Sequence, residues 1–253
     1  MTTATDTVST APLLALEGVH THIGAYHILH GIDLAVPRGQ LTMLLGRNGA
    51  GKTTTLRTIM GLWQASQGRI MFNGAEISGQ ATPDIAQRGI AYVPENMGIF
   101  AELSVKENML LAARSARRIG DIDSRRLEWI FELFPAIRKF WLHPAGKLSG
   151  GQKQMLAVAR AIVEPRQLLL IDEPSKGLAP AIIANMIDAF RQLKQTDTTI
   201  LLVEQNFNFA RQLGDTVAVM DDGKIVHRGQ MAELAQDEAL QTRLLGLSLA
   251  AHH

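Results

Sequence analysis

The stretch GRNGAGKTT, residues 46–54, constrains this chain more than any other. Gly46, Gly49 and Gly51 cannot pack a core, and each adds a backbone entropy cost to folding. An apolar run, residues 41–45, precedes the glycines, and a segment of helical character, residues 52–62, follows them. The order strand, glycine loop, helix makes an anion site. Loop N–H groups converge, and the helix N-terminus adds its partial positive charge.

Residues 46–53 fit G-x-x-x-x-G-K-[ST], the phosphate-binding P-loop. In that pattern the lysine, Lys52, reaches the β- and γ-phosphates, and the hydroxyl of Thr53 binds Mg²⁺. A second stretch, LLLIDEP, puts Asp172 and Glu173 at the C-terminal end of an apolar strand, where α/β sheets place their ligands. An aspartate there can hold Mg²⁺ opposite Thr53. A glutamate beside it can orient and deprotonate an attacking water.

A third stretch, LSGGQ, begins at Leu148. Ser149, Gly150, Gly151 and Gln152 open a helix and offer a hydroxyl and free N–H groups to an anion. A chain with a complete P-loop has no need of a second phosphate site of its own. The economical reading is that this one serves a γ-phosphate held by another subunit.

Bulk properties agree with a folded enzyme. The chain has 253 residues, 46% of them hydrophobic and 19% charged, which suits one large α/β domain with a subdomain. A formal net charge of +1 gives no reason to expect a nucleic-acid partner. Without cysteine there are no disulfides or thiolate metal sites, in keeping with a reducing compartment. No apolar run approaches the ~18 residues of a membrane helix. Residues 1–12 read as a loose, disordered tail rather than a signal peptide, and His252 and His253 receive no role.

Along the chain, residues 14–20 and 32–36 read as early strands, and residues 68–77 as a hairpin about Asn73-Gly74. A short helix near residues 83–88 leads to the strand GIAYV. Residues 96–147 change to helical periodicity and are expected to form an α-helical subdomain inserted between core segments 13–95 and 148–253. Within them, residues 114–126, rich in arginine, read as a solvated helix pair and its loop. Strands return at QLLLIDEP, TTILLVEQN and TVAVMDDGKIVHRG, the last with a hairpin at Asp222-Gly223. Residues 231–247 read as one amphipathic helix.

With P-loop, signature and strand-end carboxylates in that order, the sequence resembles the ATPase subunit of an ATP-binding cassette (ABC) transporter, for which LSGGQ is the signature. The resemblance covers nearly the whole chain after residue 12. It implies a P-loop NTPase (RecA-like) α/β core with an antiparallel β subdomain and an inserted α-helical subdomain. It also implies a head-to-tail ATP sandwich between two cassettes, a homodimer or a paralogous heterodimer. On that pattern Gly46, Arg47, Asn48, Gly49, Ala50, Gly51, Lys52, Thr53 and Thr54 bind the phosphates. Thr53 and Asp172 serve Mg²⁺, Glu173 is the general base, and Ser149 to Gln152 complete the partner's site.

Three positions depart from the commonest pattern. Glu95 stands where a glutamine is usual, Gln205 where a histidine senses the γ-phosphate, and Ala179 where an aspartate is usual. Glu95 keeps an oxygen acceptor and Gln205 an N–H₂ donor, whereas Ala179 has no carboxylate to offer across a dimer. Together VPE, S-x-GLAP and LVEQN resemble the second ATPase subunit of branched-chain amino-acid importers, so permease subunits, a solute-binding protein and the cytoplasmic membrane face are the implied surroundings. Importers of urea, amides or other amino acids, or a scaffold-type ABC ATPase, are the competing readings. The adenine is expected against either Ile23 or Tyr26.

Overall fold

The structure is a computed structural model and describes residues 11–246; residues 1–10 and the terminal histidine pair lie outside it. The chain begins with strands β1 (Leu14–Ile23), β2 (Tyr26–Val36) and β3 (Leu41–Gly46), then helix α1 (Lys52–Ile59). There follow β4 (Ala65–Phe72), β5 (Ala75–Glu76), α2 (Thr82–Gln87) and β6 (Ile90–Val93). Helices α3 (Val105–Ala112), α4 (Ser124–Leu133), α5 (Pro135–Lys139) and α6 (Gly150–Ala161) fill the middle of the chain. The last third is β7 (Leu168–Asp172), α7 (Pro180–Leu193), β8 (Thr199–Glu204), α8 (Phe207–Ala210), β9 (Thr216–Asp221), β10 (Lys224–Gln230), α9 (Met231–Gln236) and α10 (Glu238–Leu245).

Two sheets result. A six-stranded sheet runs β10-β9-β3-β8-β7-β6, parallel apart from β10. Its inner strands β3, β7 and β8 are buried along their whole length, as sheets covered on both faces must be. Side-chain alternation splits them between two cores. Leu41, Met43 and Leu45 join the core that holds the middle helices and α7, while Leu44 joins the core under the second sheet. That second sheet is antiparallel, in the order β2-β1-β4-β5. Thr21 Oγ1 and Thr58 Oγ1, 3.1 Å apart, tie it to α1.

The Asn-Gly and Asp-Gly turns adopt the paired positive φ angles of two-residue hairpins, +50° and +77° at Asn73-Gly74 and +41° and +69° at Asp222-Gly223. Gly223 leaves no alternative, since a Cβ would lie 2.1 Å from the Ile28 carbonyl oxygen.

Three expectations are corrected. β1 and β2 extend far beyond residues 14–20 and 32–36, meeting at a two-residue connection, Gly24-Ala25. The intervening histidines hid the alternation of a half-exposed ladder. Residues 114–126 are not a helix pair. They form a loop with a single 3-10 turn at Ile119–Asp121 before α4 begins, because Asp121 accepts from the backbone N–H groups of Arg117 and Arg118 and Asp123 from that of Arg126. The C-terminal helix is two helices. Asp237 interrupts it and caps α10 by accepting from Leu240 N at 2.8 Å.

Candidate functional site

The P-loop is the connection between β3 and α1. Gly46 takes φ +158°, which is ordinary extended backbone. Its lack of a side chain matters instead, because a Cβ would lie 2.3 Å from the Met220 carbonyl oxygen on β9. Gly51 caps α1 at φ +105°. Arg47, Asn48 and Gly49 are exposed at the crest and Ala50 is buried beneath them. Ala50 O accepts from Gly223 N at 3.0 Å, which fixes the loop to the β9–β10 hairpin. Among the described residues no backbone carbonyl accepts from the first-turn N–H groups of Lys52, Thr53 and Thr54, so these donors are available to an anion.

Lys52 is 4% exposed. Its ammonium donates to Gly46 O at 2.9 Å and Arg47 O at 3.1 Å, and lies 3.4 Å from Glu173 Oε1. Thr53 Oγ1 donates to Asp172 Oδ1 at 3.1 Å, across 119 residues of sequence, and Tyr92 OH donates to Oδ2 at 3.4 Å. Burial, opposed by the Thr53 hydrogen bond and reinforced by the fields of Glu173 and Glu95, pushes the Asp172 carboxyl up to about 6. The same burial, with Asp172 beside it, pushes Tyr92 up to about 12. Glu173 has φ +46°, a left-handed conformation unusual for a side-chain-bearing residue, with its N–H held by Val203 O at 2.9 Å.

Glu95 and Gln205 reach the same end of the sheet differently. Glu95 follows β6 and pairs with Lys176 Nζ at 2.5 Å, and Lys176 in turn lies 3.5 Å from Glu173 Oε2. Gln205 is exposed just past β8, and no described hydrogen bond uses its side chain. Ser149 to Gln152 stand apart. Ser149 Oγ accepts from Gln152 N at 3.3 Å, and Gln152 Oε1 accepts from Ser149 N at 2.9 Å, a reciprocal cap on α6. Among the described residues no hydrogen bond or ion pair joins these four to the P-loop or to the strand-end carboxylates. Gly151 also answers a packing demand, because a Cβ there would lie 2.6 Å from Ile182 Cγ2 on α7. Ile23 and Tyr26 are direct cross-strand partners, and Tyr26 is 75% exposed while Ile23 is half-buried.

Two residues were missed by the sequence reading. Lys176 is one. The other is Glu204, 2% exposed at the end of β8, whose carboxylate accepts from the backbone N–H groups of Ser175, Gln205 and Asn206, each at 3.0 Å. It clamps the loop after Glu173 to the loop that carries Gln205. A carboxylate closing a wholly buried strand, directly after the apolar run Ile200 to Val203, was the signal for it.

The site can take a nucleoside triphosphate with a divalent cation. The orphan N–H groups and Lys52 fit the phosphates, and a hydroxyl beside a buried carboxylate fits a hard cation that completes its shell with water and phosphate oxygen. Among the described residues no cluster of three or more His, Cys, Asp or Glu could hold a metal. The raised Asp172 pKa makes a stability prediction. Between 3.8 and about 6 the folded chain binds more protons than the unfolded one, so stability falls as pH rises through that window. Asp172→Asn removes a penalty on the order of 3 kcal/mol. Without Mg²⁺ at pH 7.5 its melting temperature should rise by about 5–10 °C, with no gain at pH 4. Equal melting temperatures at pH 7.5 would contradict the buried-carboxylate account.

A parallel sheet with a P-loop at β3, a carboxylate pair at the end of β7 and a helical insert between β6 and β7 defines a nucleotide-binding cassette. The chain belongs to the ABC transporter family, whose model matches residues 29–176, and it is an ATPase of that family. It is 37% identical over 92% of its length to the whole of the high-affinity branched-chain amino acid transport ATP-binding protein BraG of Pseudomonas aeruginosa. It is 34% identical to the probable branched-chain amino acid transport ATP-binding protein LivF of Archaeoglobus fulgidus, covering 87% of this chain and 93% of that one. Among solved structures, the ATP-binding subunit of an ABC transporter superposes with a TM-score of 0.77 at 28% identity, over 94% of this chain and 96% of the other. An ATP-binding cassette in its ADP conformation shares the fold at 0.78 and 23% identity, over 94% of this chain and 100% of the other.

Proposed function

We propose that this chain hydrolyses ATP to power the uptake of branched-chain amino acids, working with permease subunits at the cytoplasmic face of the membrane. The observation that carries the ATPase reading is the convergence of Lys52, Thr53, Asp172 and Glu173 at one end of the parallel sheet. The solute class rests on the likeness to the branched-chain amino acid transport ATP-binding proteins BraG and LivF. Among the described residues no helix is long and apolar enough to cross a membrane; in this reading the translocation path belongs to the permease subunits.

In the mechanism, the first-turn N–H groups of α1 and the Lys52 ammonium hold the β- and γ-phosphates. To do so Lys52 exchanges its contacts with Gly46 O and Arg47 O for phosphate oxygens. Thr53 and Asp172 hold Mg²⁺, which when bound neutralises phosphate charge in the transition state. Glu173 accepts a proton from the attacking water, and Glu95 and Gln205 orient that water and the γ-phosphate with an oxygen acceptor and an N–H₂ donor. Ser149 to Gln152 present an α6 N-terminus to the γ-phosphate bound by a second cassette, a role in keeping with their having no hydrogen bond to their own P-loop among the described residues. Tyr26 or Ile23 receives the adenine. The indirect partner is a solute-binding protein.

The helices between residues 96 and 147 form the coupling subdomain of this reading. Where they meet the core lies a groove of about 680 Å³, lined by Trp63, Tyr92, Met97, Arg114 and Arg160 among others, and it receives a short helix of the permease. Phe100 is 49% exposed, with the Arg160 guanidinium 5.2 Å from its ring centroid, whereas Ile99 is half-buried against the core. Phe100→Ala should leave the free subunit's melting temperature within about 3 °C and its basal ATPase within twofold of the parent's. Branched-chain amino-acid uptake in vesicles reconstituted with the permease should fall at least fivefold. A large fall in melting temperature would make Phe100 core, and unchanged uptake would move the membrane contact elsewhere. The same vesicles test the whole reading, because ATPase stimulated by urea or amides and not by leucine would overturn it.

A further inference from the structure

Lys176 has no place in the reading above, yet it touches two of its residues. It lies in the loop between β7 and α7, where its N–H bonds back to Glu173 O at 3.2 Å and closes a turn. From there its ammonium spans 81 residues of sequence to Glu95 Oε1 at 2.5 Å, and stands 3.5 Å from Glu173 Oε2. Glu173 therefore lies between two cations, with Lys52 on Oε1 and Lys176 on Oε2. We propose that Lys176 is a positioning residue for ATP hydrolysis, which neutralises Glu95 and holds it in register with Glu173.

The physical case is one of charge and geometry. Lys176 and Glu95 are both exposed, at 56% and 43%, and solvent screening leaves such a pair little to add to stability. Stability is not a sufficient reason for it. The site itself is crowded with carboxylates, since the fields of Glu173 and Glu95 both reach Asp172. A glutamine at position 95 would bring an oxygen acceptor without charge. A glutamate brings the acceptor with a charge that a triphosphate repels, and Lys176 cancels that charge locally. Because the lysine grips the side chains on both loops, the loop after β6 and the general base move together. When Lys52 turns to the phosphates, Lys176 remains the cation that keeps Glu173 aimed. Pairing also keeps the lysine proton on, which the raised pKa of its ammonium reflects, with the Glu95 hydrogen bond as the largest cause.

This inference rests on Glu173 acting as general base, and the experiment separates the two. Steady-state ATPase is measured for the parent, Lys176→Ala, Lys176→Arg, Glu95→Gln, the Lys176→Ala/Glu95→Gln double variant, and Glu173→Gln as control, with melting temperatures for all. Lys176→Ala should lower kcat by about three- to tenfold while KM for MgATP stays within twofold, because the lysine does not face the phosphates. Lys176→Arg, which keeps the charge, should recover most of kcat. In the Glu95→Gln background the loss on removing Lys176 should shrink to less than half, since the charge to be cancelled has gone. A Lys176→Ala enzyme with the parent kcat, an arginine variant no better than alanine, or an equal loss in both backgrounds would overturn the proposal. If only those results fail while Glu173→Gln is inactive, the general-base reading stands without Lys176. An active Glu173→Gln would overturn both.

Discussion

Lys52→Ala is expected to abolish ATP hydrolysis and to weaken ATP binding. The lysine is the buried cation of the P-loop, held over the loop by two carbonyls and set against Glu173. Alanine removes the charge that the phosphates need while leaving Gly46 and Gly51 to shape the same turn. Preorganised donors aimed at developing charge contribute on the order of 10²–10³ each in rate. Loss of a full charge places the expected fall at the upper end or beyond. ATP turnover and a titration with fluorescent nucleotide measure the two effects. Turnover near the parent's would show that residues 46–54 are not the phosphate site.

Glu173→Gln is expected to lose about 10²–10⁴ in rate, the contribution of a placed general base, while still binding MgATP. Glutamine keeps the shape, and its one carbonyl oxygen keeps an acceptor for one of the two lysines that flank Glu173. What it cannot do is take the proton of the attacking water. With hydrolysis blocked, ATP should hold two cassettes together through the P-loop of one and Ser149 to Gln152 of the other. Size-exclusion chromatography with MgATP then shows a dimer that the parent forms only transiently. A variant that turns over ATP normally removes Glu173 from the mechanism.

Much of the site was legible because its parts are local. The P-loop is a run of nine residues whose glycines are required by a helix cap and by close contacts with β9, and Asn73-Gly74 and Asp222-Gly223 are turns defined by their own φ preferences. Asp172 and Glu173 were visible because an apolar run stops at them. The misreadings had physical causes as well. Histidines at 20, 22, 27 and 30 masked the strand alternation on either side of Gly24-Ala25. In the structure they stack on one another instead, His22 on His27 with ring centroids 4.1 Å apart. Two aspartates, 121 and 237, took backbone N–H groups that a continuous helix would have used.

Sequence alone therefore determined the chemical types at the site: a phosphate loop, a hydroxyl and a carboxylate suited to Mg²⁺, a base, and a capped helix. Tertiary structure decided which of these meet. Neighbouring parallel strands must be joined by long crossovers, so residues that touch at the sheet's end lie far apart in sequence, Thr53 from Asp172 by 119 residues and Lys176 from Glu95 by 81. No local pattern records such a contact. Lys176 reads as a solvated loop lysine and Glu204 as the end of a strand until folding lays β6, β7 and β8 side by side. Only then does one become a bridge between two carboxylates, and the other a clamp on two loops.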